Sequence, residues 1–369
     1  MKKALSIILM LVLVLSLCAC GGSSAPAAPA APAAPAAPAA PAEPAAPAAP
    51  AEPEVDDTVY TFSYASADGE ESLRHIYIEQ PFMDYITEKS GGRIQWSYFP
   101  SASLAATGSI LQGCKDGTVD VGIDAPTFYP GVYLYNELFG CPGAVTASNF
   151  EEQQKVLSAY SEAFVVGELS KDAHVLGNFI GLPTYIIGNK EIKSAADIAQ
   201  QNVATTANYF SVYEKLKCAT SAVVYNEAYE SLKLGVVDMV QVGYGLLNNF
   251  RLFEVTDYAY LFPQSLSNSV MFISNTAYNS LPDDLKAVVD EAGKMLETTF
   301  IFDFIEANLE VVEGKIASEK PDFVWGELPA DVNDIINETC AIGLAEKEEA
   351  LNAAGLDGTA AVELLASFR

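Results

Sequence analysis

The chain has 369 residues, of which half are hydrophobic and 18% are charged. Acidic residues outnumber basic residues by 48 to 20, which gives a formal net charge of −28 at pH 7 and argues against nucleic acid or an anionic membrane as the binding partner. With only two histidines, and no Cys-x-x-Cys pair among six cysteines, little is present from which to build a zinc site or a Ser-His-Asp triad. We therefore expect neither an enzyme nor a protein with a metal or organic cofactor.

The first twenty residues predict an export signal with a lipid attachment site. A basic start, MKK, precedes the uncharged apolar run 5–17, which is short for a permanent membrane helix, the alternative interpretation. The sequence LCACG at 17–21 resembles the bacterial lipobox. By that resemblance residues 1–19 form a lipoprotein signal peptide, and Cys20 becomes the lipidated N-terminus that holds the protein outside the cytoplasm on a membrane surface.

Residues 20–55 predict a stalk that follows the lipidated cysteine. Proline recurs at every third position from Pro26 to Pro53, and alanine fills nearly all the positions between. Because proline fixes φ and lacks an N–H donor, this run favours polyproline II over helix or sheet. At about 3.1 Å per residue it would reach at most roughly 85 Å. A disordered linker is the alternative, and it would serve nearly the same function.

Patterns typical of strands and helices alternate along the rest of the chain. Strand patterns occur at 60–65, 93–100, 119–124 and 174–181, separated by helical patterns at 73–89, 109–116 and 149–172. The alternation continues through the segments 194–205, 209–218, 225–243 and 269–281. This order predicts the α/β class, with helices packed on parallel or mixed sheets.

A single helical pattern runs from Pro282 to about Ser318, with Asp283 and Asp284 in its first turn. At 1.5 Å per residue, about 37 residues give a helix of about 55 Å, which is longer than one small domain. We therefore expect two lobes joined by this helix. Ligands of open α/β sheets bind beyond the carboxyl ends of the strands, so an exported two-lobed chain without catalytic motifs predicts a binding protein with a cleft between its lobes.

Five segments, in order, resemble the solute receptors of tripartite ATP-independent periplasmic (TRAP) transporters, the DctP-like family. They are PFMDYITEKSGGRIQWSYFPSASL, LQGCKDGTVDVG, NKEIKSAADI, YNEAYESLKLGVVD and NTAYNSLPDDLKAVVDEAG, within residues 58–320. The resemblance implies a two-lobed fold of the periplasmic-binding-protein type, a hinge of crossing strands, a long helix across both lobes, and a ligand trapped by closure. It also implies a monomer that delivers its ligand to the small and large membrane permease subunits.

The resemblance also implies bounds for the two lobes. The first lobe is expected to comprise residues 56–182 and about 264–300. The second lobe is expected to comprise residues 183–263 and about 301–369. A receptor of the same fold that serves a sensor or an ATP-driven importer is the alternative, since the sequence does not reveal which partner docks. An enzyme or an adhesin on this scaffold has no supporting motif.

One substitution concerns the family's usual ligand contact. The family stretch LKGLKIR ends in an arginine whose planar guanidinium binds a ligand carboxylate, and the matching stretch here places Ala204 at that position and Gln200 at the glycine. The family asparagine after GVVD aligns with Val242, beside Gln241. A carboxylate left in such a cleft without a partner would be destabilised by several kcal/mol, of the order typical for an unpaired buried charge.

A second arginine, common in sialic-acid receptors of the family, should fall near Thr184 or Tyr185, and neither residue is basic. The ligand is therefore expected to be atypical: neutral, aromatic or bound through another cation. Arg74, where the first loop enters its helix, is the remaining candidate cation on the cleft rim, and a solvated arginine is the alternative. The acidic loop that contains Asp68 could instead favour a cationic ligand, although a solvated loop explains it as well.

Aromatic side chains gather on the segments expected to face the cleft from the second lobe, and they suit a ring-bearing or largely apolar ligand. Packing in the lobe's own core is the alternative for each of them: Tyr185, Tyr209, Phe210, Tyr225 and Tyr244. The candidate polar contacts are Asn226, Gln241 and Asp124.

Four cysteines lie beyond the stalk at irregular spacing, so we expect mostly buried thiols, and one disulfide stays open as an alternative. They are Cys114, Cys141, Cys218 and Cys340.

Overall fold

The computed structural model describes residues 57–145, 149–262 and 267–368. The predicted signal peptide, the lipidation site Cys20 and the stalk to residue 55 lie outside these ranges. From Asp56 onward the chain clusters into one compact unit. Within the described ranges, no helix is both long enough and apolar enough to cross a membrane.

The strands of the described residues belong to two sheets, which confirms the predicted α/β class. They are β1 (Tyr60–Ala65), β2 (Ile94–Phe99), β3 (Val121–Asp124), β4 (His174–Ile180), β5 (Thr184–Gly188), β6 (Asn202–Thr205), β7 (Ala219–Ala222), β8 (Met239–Gly243), β9 (Tyr258–Leu261), β10 (Asn268–Ile273) and β11 (Val324–Glu327). The first lobe contains the sheet β2-β1-β3-β10-β4, and the second lobe contains the sheet β11-β9-β5-β8-β6-β7.

Helices cover both sheets, and three of them are extended by a single π-helical turn, at 75–79, 161–165 and 296–300. They are α1 (Gln80–Lys89), α2 (Ile110–Asp116), α3 (Leu134–Phe139), α4 (Phe150–Tyr160), α5 (Val166–Leu169), α6 (Ala195–Ile198), α7 (Phe210–Lys215), α8 (Tyr225–Lys233), α9 (Tyr244–Asn249), α10 (Asn275–Ser280), α11 (Asp283–Met295), α12 (Ile301–Glu319), α13 (Ala330–Ala353) and α14 (Gly358–Ala366).

Burial on both faces explains why the central strands read as continuous apolar runs. Within β10, residues 270–273 have the sequence VMFI, and each side chain is at most 1% exposed. Alternation of polar and apolar residues is expected only where one face of a sheet meets water.

Two connections join the carboxyl edges of the two sheets. β4 runs parallel to β3, because both pair antiparallel with β10, so β4 ends at the carboxyl edge of the first sheet. Residues 181–183 lead from there to the start of β5, which lies at the carboxyl edge of β8 because this pair is antiparallel. The return connection leads from the end of β9 to the start of β10, again between these edges. The two carboxyl edges therefore border the hinge.

The predicted long helix is confirmed. α11, the π-helical turn and α12 form one continuous helix from Asp283 to Glu319. Leu285 and Val289 pack in the core of the first lobe, whereas Val312 and Ile316 pack in the core of the second lobe. The helix therefore braces both lobes, as its length suggested.

The chain divides differently from the expected bounds near its end. α13 crosses back between the lobes, since Val332 and Ile336 pack in the second lobe while Leu344 and Leu351 pack in the first. Residues 301–369 were all expected in the second lobe. Helical periodicity shows which face of α13 is apolar, but it does not show which of two cores that face meets.

Candidate functional site

The carboxyl edge of the first sheet carries a buried carboxylate, Glu79, in the turn that leads into α1. Its side chain is 1% exposed and accepts hydrogen bonds from Ser66 Oγ at 2.8 Å and from the Tyr98 hydroxyl at 2.9 Å. Its Oε2 lies 3.4 Å from His75 Nδ1. Burial raises the pKa of the Glu79 carboxyl, and the hydrogen bonds from Ser66 and Tyr98 limit that rise.

Glu79 was not among the residues predicted from the sequence. A signal was present, because Glu79 shares the inward helical face of Met83 and Ile86, which are both buried. A charged residue on such a face is rarely left without partners.

Arg74 lies on the rim of this edge and forms an ion pair. Its Nε is 3.2 Å from Asp68 Oδ2, and about a third of each side chain is exposed. The turn after β2 is fixed against this loop, since the backbone N–H of Ser101 donates to the carbonyl oxygen of Asp68 at 2.8 Å. Ser101 and Ala102 both have positive φ, at 55° and 57°, a strained conformation for residues with a side chain. The ion pair, the backbone hydrogen bond and these two backbone conformations therefore fix the shape of the rim.

Asp124 has a structural role that its position at the end of β3 did not reveal. Its two oxygens accept hydrogen bonds from the backbone N–H groups of Gly108 and Ile110 at 2.9 and 3.0 Å, and from the Tyr129 hydroxyl at 2.7 Å. It is 3% exposed. These donors occupy the lone pairs with which Asp124 would hold a ligand, so it anchors the start of α2 instead.

Four of the residues expected at the ligand lie on the side of the second sheet covered by α8, α9 and α12. Val242 and Tyr244 are at most 1% exposed and belong to the lobe's own core. Tyr185 is half-buried, with its ring centroid 5.6 Å from that of Tyr244, and both rings pack on Trp325. Burial raises the pKa of both tyrosines.

The fourth of these residues, Ala204, lines a cavity of about 180 Å³ between β6, β7 and α8. Eight of the eleven lining residues are alanine or valine, and two are serine. The remaining one is Glu227, so the charge at this cavity is negative. The space beside Ala204 thus combines small apolar walls with a carboxylate.

A buried polar group lies on the opposite side of the same sheet. Gln241 Oε1 accepts hydrogen bonds from Thr205 Oγ1 at 2.6 Å and from the Tyr213 hydroxyl at 3.1 Å. Its Nε2 is buried and has no hydrogen-bond partner among the described residues. Tyr209 packs edge-on against Phe262 nearby, with ring centroids 5.3 Å apart. An amide with an unsatisfied buried donor is uncommon in native folds.

The remaining predicted residues begin the helices that follow β6 and β7. Phe210 is the first residue of α7 and is half-buried. Tyr225 and Asn226 begin α8, the tyrosine half-buried and the asparagine exposed. Nine of the ten predicted residues thus belong to the second lobe, but they lie on both faces of its sheet, and Gln241, Val242 and Tyr244 are at most 3% exposed. Arg74 lies at the carboxyl edge of the first sheet. In the part of the chain that the structure describes, no cluster of three His, Cys, Asp or Glu side chains could hold a metal ion.

The chain matches the model of a known protein family. The model of the bacterial extracellular solute-binding protein family 7, DctP, matches residues 64–320. A solute-binding protein of Sulfitobacter sp. (strain NAS-14.1) is 34% identical over 222 residues, which are 58% of this chain. The aligned region is 66% of that curated relative, so the chain spans slightly less than two thirds of its length.

Solved structures share the fold at low sequence identity. A TRAP periplasmic solute-binding protein of Desulfovibrio salexigens DSM2638, in an open form, aligns with a TM-score of 0.74 and 18% identity over 84% of this chain and 95% of its own. A TRAP solute-binding protein of Rhodoferax ferrireducens T118, in complex with copurified benzoate, aligns with a TM-score of 0.70 and 20% identity over 84% and 98%. These likenesses confirm the two-lobed fold.

Proposed function

Because the chain belongs to the DctP family of bacterial extracellular solute-binding proteins, we propose that it is the extracytoplasmic receptor of a TRAP-type secondary transporter. A small organic ligand binds between the carboxyl edges of the two sheets, which the two hinge connections hold next to each other. Contacts to both lobes stabilise the closed form relative to the open form, and this difference drives closure. The closed receptor then docks on the small and large permease subunits.

The N-terminal sequence supports the attachment that we propose for this receptor. Lipid on Cys20 holds the protein at the outer face of the cytoplasmic membrane, and the proline-rich stalk separates the folded part from that surface. Replacement of Cys20 by serine should release the protein into the soluble fraction, and retention on membranes would contradict the lipid anchor.

Our proposal for the ligand is supported by the cavity beside Ala204, whose lining residues include no cation. The charged residue of that cavity is Glu227, and Val240 and Val237 also line it. Glu227 is exposed, and no Lys, Arg or His lines this cavity, so a ligand carboxylate beside Ala204 would gain no ion pair here. The ligand is therefore neutral or aromatic on this side, or it is held by a cation of the other lobe.

The half-buried rings of Tyr185, Phe210 and Tyr225 support a ring-bearing ligand, because aromatic walls bind flat apolar surfaces while a tyrosine hydroxyl can orient a polar group. Arg74 is the candidate cation of the opposite lobe. Its ion pair with Asp68 is partly exposed, so a stronger anionic partner can replace that pair at low cost.

A ligand screen tests this proposal. The purified full-length protein is heated with neutral aromatics, aromatic acids, C4 dicarboxylates, amino acids and sugars, and the midpoint of unfolding is measured. A ligand that binds the folded form raises the midpoint in proportion to the logarithm of its concentration. We expect the largest shift among ring-bearing compounds. A strong shift with a plain C4 dicarboxylate that survives Arg74→Ala would contradict the proposed site.

A further inference from the structure

Two cysteines from different parts of the chain lie on segments that pack together where α13 crosses between the lobes. Cys141 follows α3, is half-buried and packs against the core of the first lobe. Cys340 lies on α13, is 4% exposed and belongs to the core of the second lobe. A Cβ atom added to Gly343 would lie 3.6 Å from Cys141 Sγ. Because Gly343 is one helical turn from Cys340, the Cys141 thiol lies on the same face of α13 as Cys340.

The approach of these two segments is fixed by contacts on either side of the cysteines. Lys347 continues the same face of α13, and its Nζ lies 2.7 Å from Glu137 Oε2 on α3. Beyond α13, the backbone N–H of Asp357 donates to the Tyr135 hydroxyl at 2.9 Å. A Cβ atom at Gly343 would be in ordinary van der Waals contact with the Cys141 sulfur, so the two segments pack closely here. The segment that carries Cys141 is therefore held against α13 by packing, an ion pair and a hydrogen bond.

We propose that Cys141 and Cys340 form a disulfide in the exported protein, which fastens α13 to the first lobe at its crossing point. The family is extracellular, and disulfides form and persist in oxidising compartments outside the cytoplasm. Two S–H bonds break and one S–S bond forms. The two electrons and two protons pass to the disulfide of an extracytoplasmic thiol–disulfide oxidoreductase, which becomes a dithiol.

Burial determines when this bond forms. It raises the pKa of the Cys141 thiol to about 11 and that of the Cys340 thiol to about 12. Since the thiolate is the reactive form, both thiols are poor nucleophiles once the chain is folded. The exchange therefore takes place during folding, while both thiols are accessible, and the folded protein then shields the bond from reduction.

The other two thiols of the folded part provide an internal comparison. Cys114 Sγ lies 4.0 Å from the carbonyl oxygen of Asp120, inside the first lobe. Cys218 Sγ lies 3.2 Å from the carbonyl oxygen of Ile198, inside the second lobe. Each faces a backbone oxygen of its own lobe, so both are expected to stay reduced.

Thiol mapping tests the pair without a ligand, so its result does not depend on the proposed function. The full-length chain is exported from a bacterial host, denatured without reductant and treated with a maleimide, then reduced and treated with a second maleimide of different mass. We expect the peptides that contain Cys141 and Cys340 to carry the second label, and those of Cys114 and Cys218 to carry the first. The first label on Cys141 or Cys340, or a bond from either to another cysteine, would overturn the proposal.

A stability measurement gives an independent test. A disulfide that closes so long a loop raises the midpoint of unfolding by roughly 5 °C or more. We expect the wild type and Cys218→Ala to unfold at a midpoint lower by this amount after they are denatured, reduced and refolded in reductant, whereas the same treatment should leave Cys141→Ala, already lowered, unchanged. An equal effect of the reductant on Cys141→Ala and on the wild type would contradict the bond.

Discussion

The backbone N–H of Gly181 donates to the carbonyl oxygen of Ser267 at 2.7 Å, which ties together the two connections between the lobes. The segments run so close that a Cβ atom on Gly181 would lie 2.0 Å from Ser267 Oγ. The exposed Ser267 hydroxyl can rotate away, but the added Cβ would still lie 3.2 Å from Ser267 Cβ and 3.3 Å from its carbonyl oxygen, so glycine is favoured here by the close approach of two segments rather than by its φ angle.

Gly181→Ala should therefore strain the hinge. We expect the free energy of unfolding to fall by about 1–3 kcal/mol, the usual range for an overpacked site, and ligand affinity to fall with it, because the connections that move during closure are displaced. Thermal unfolding and titration calorimetry measure the two effects. Gly243→Ala is the matched control, since a Cβ there would meet no atom within 4 Å. Equal losses in both variants would show that the close approach is unimportant.

Ala204→Arg should weaken binding of the native ligand at least tenfold, about 1.4 kcal/mol, because the long cationic side chain would fill the cavity beside Glu227. Affinity is measured with the ligand that the screen identifies. Ala219→Arg adds the same charge to the same sheet at an exposed position of β7 and should leave the affinity unchanged. If Ala204→Arg also binds normally, Ala204 does not line the binding cleft.

Arg74→Ala should reduce ligand affinity by about tenfold or more, if the guanidinium exchanges Asp68 for the ligand, while protein stability changes by no more than about 1 kcal/mol because the pair is exposed. Arg251→Ala is the control. Arg251 also forms an exposed ion pair, with Glu319, but on the second lobe behind the cleft. Titration calorimetry measures the ligand affinity of both variants. Similar affinities for Arg74→Ala and Arg251→Ala would show that Arg74 does not contact the ligand.

Glu79 should make the stability depend on pH. Because burial raises its pKa above the ordinary value of 4.5, the folded state holds the proton more tightly than the unfolded chain does. This contribution to stability is complete below pH 4.5 and is lost as the pH rises through the folded pKa. Unfolding midpoints measured from pH 4 to pH 7 should therefore fall more steeply for the wild type than for Glu79→Gln.

The exposed Glu71 provides the control for this pH dependence, since Glu71→Gln removes the same charge from the solvated first loop. Its pH profile should match that of the wild type. A Glu79→Gln profile as steep as the wild-type profile would show that another group determines the slope.

Gln200→Gly should stabilise the protein by up to about 1 kcal/mol. Gln200 has φ of 67°, and its N–H donates to the carbonyl oxygen of Lys217 at 2.8 Å, so the conformation is enforced by the fold. Glycine adopts this φ without strain, although it also gains freedom in the unfolded chain. Gln201→Gly, at the neighbouring residue, should destabilise the protein in chemical denaturation. Destabilisation of equal size in both variants would contradict the strain at Gln200.

Several features followed from the sequence because local periodicity dictates them. The helical pattern predicted over 282–318 is observed from Asp283 to Glu319, and strand patterns such as 60–65 and 174–181 lie within or close to the observed strands. The replacement of the family arginine by Ala204 and of the glycine by Gln200 stays a prediction from the order of motifs. Such features depend on neighbours in the chain or on the order of motifs, and both are written in the sequence.

Other features depend on which surfaces meet in space. Only the folded chain shows that α13 returns to the first lobe, that Tyr244 and Val242 are core residues, and that Glu79 is buried at the edge of the first sheet. The same holds for the contact of Cys141 with α13 and for the cavity beside Ala204. A pattern of apolar residues determines that a face is buried, but its partner is chosen by the packing of elements far apart in the chain, which tertiary structure alone decides.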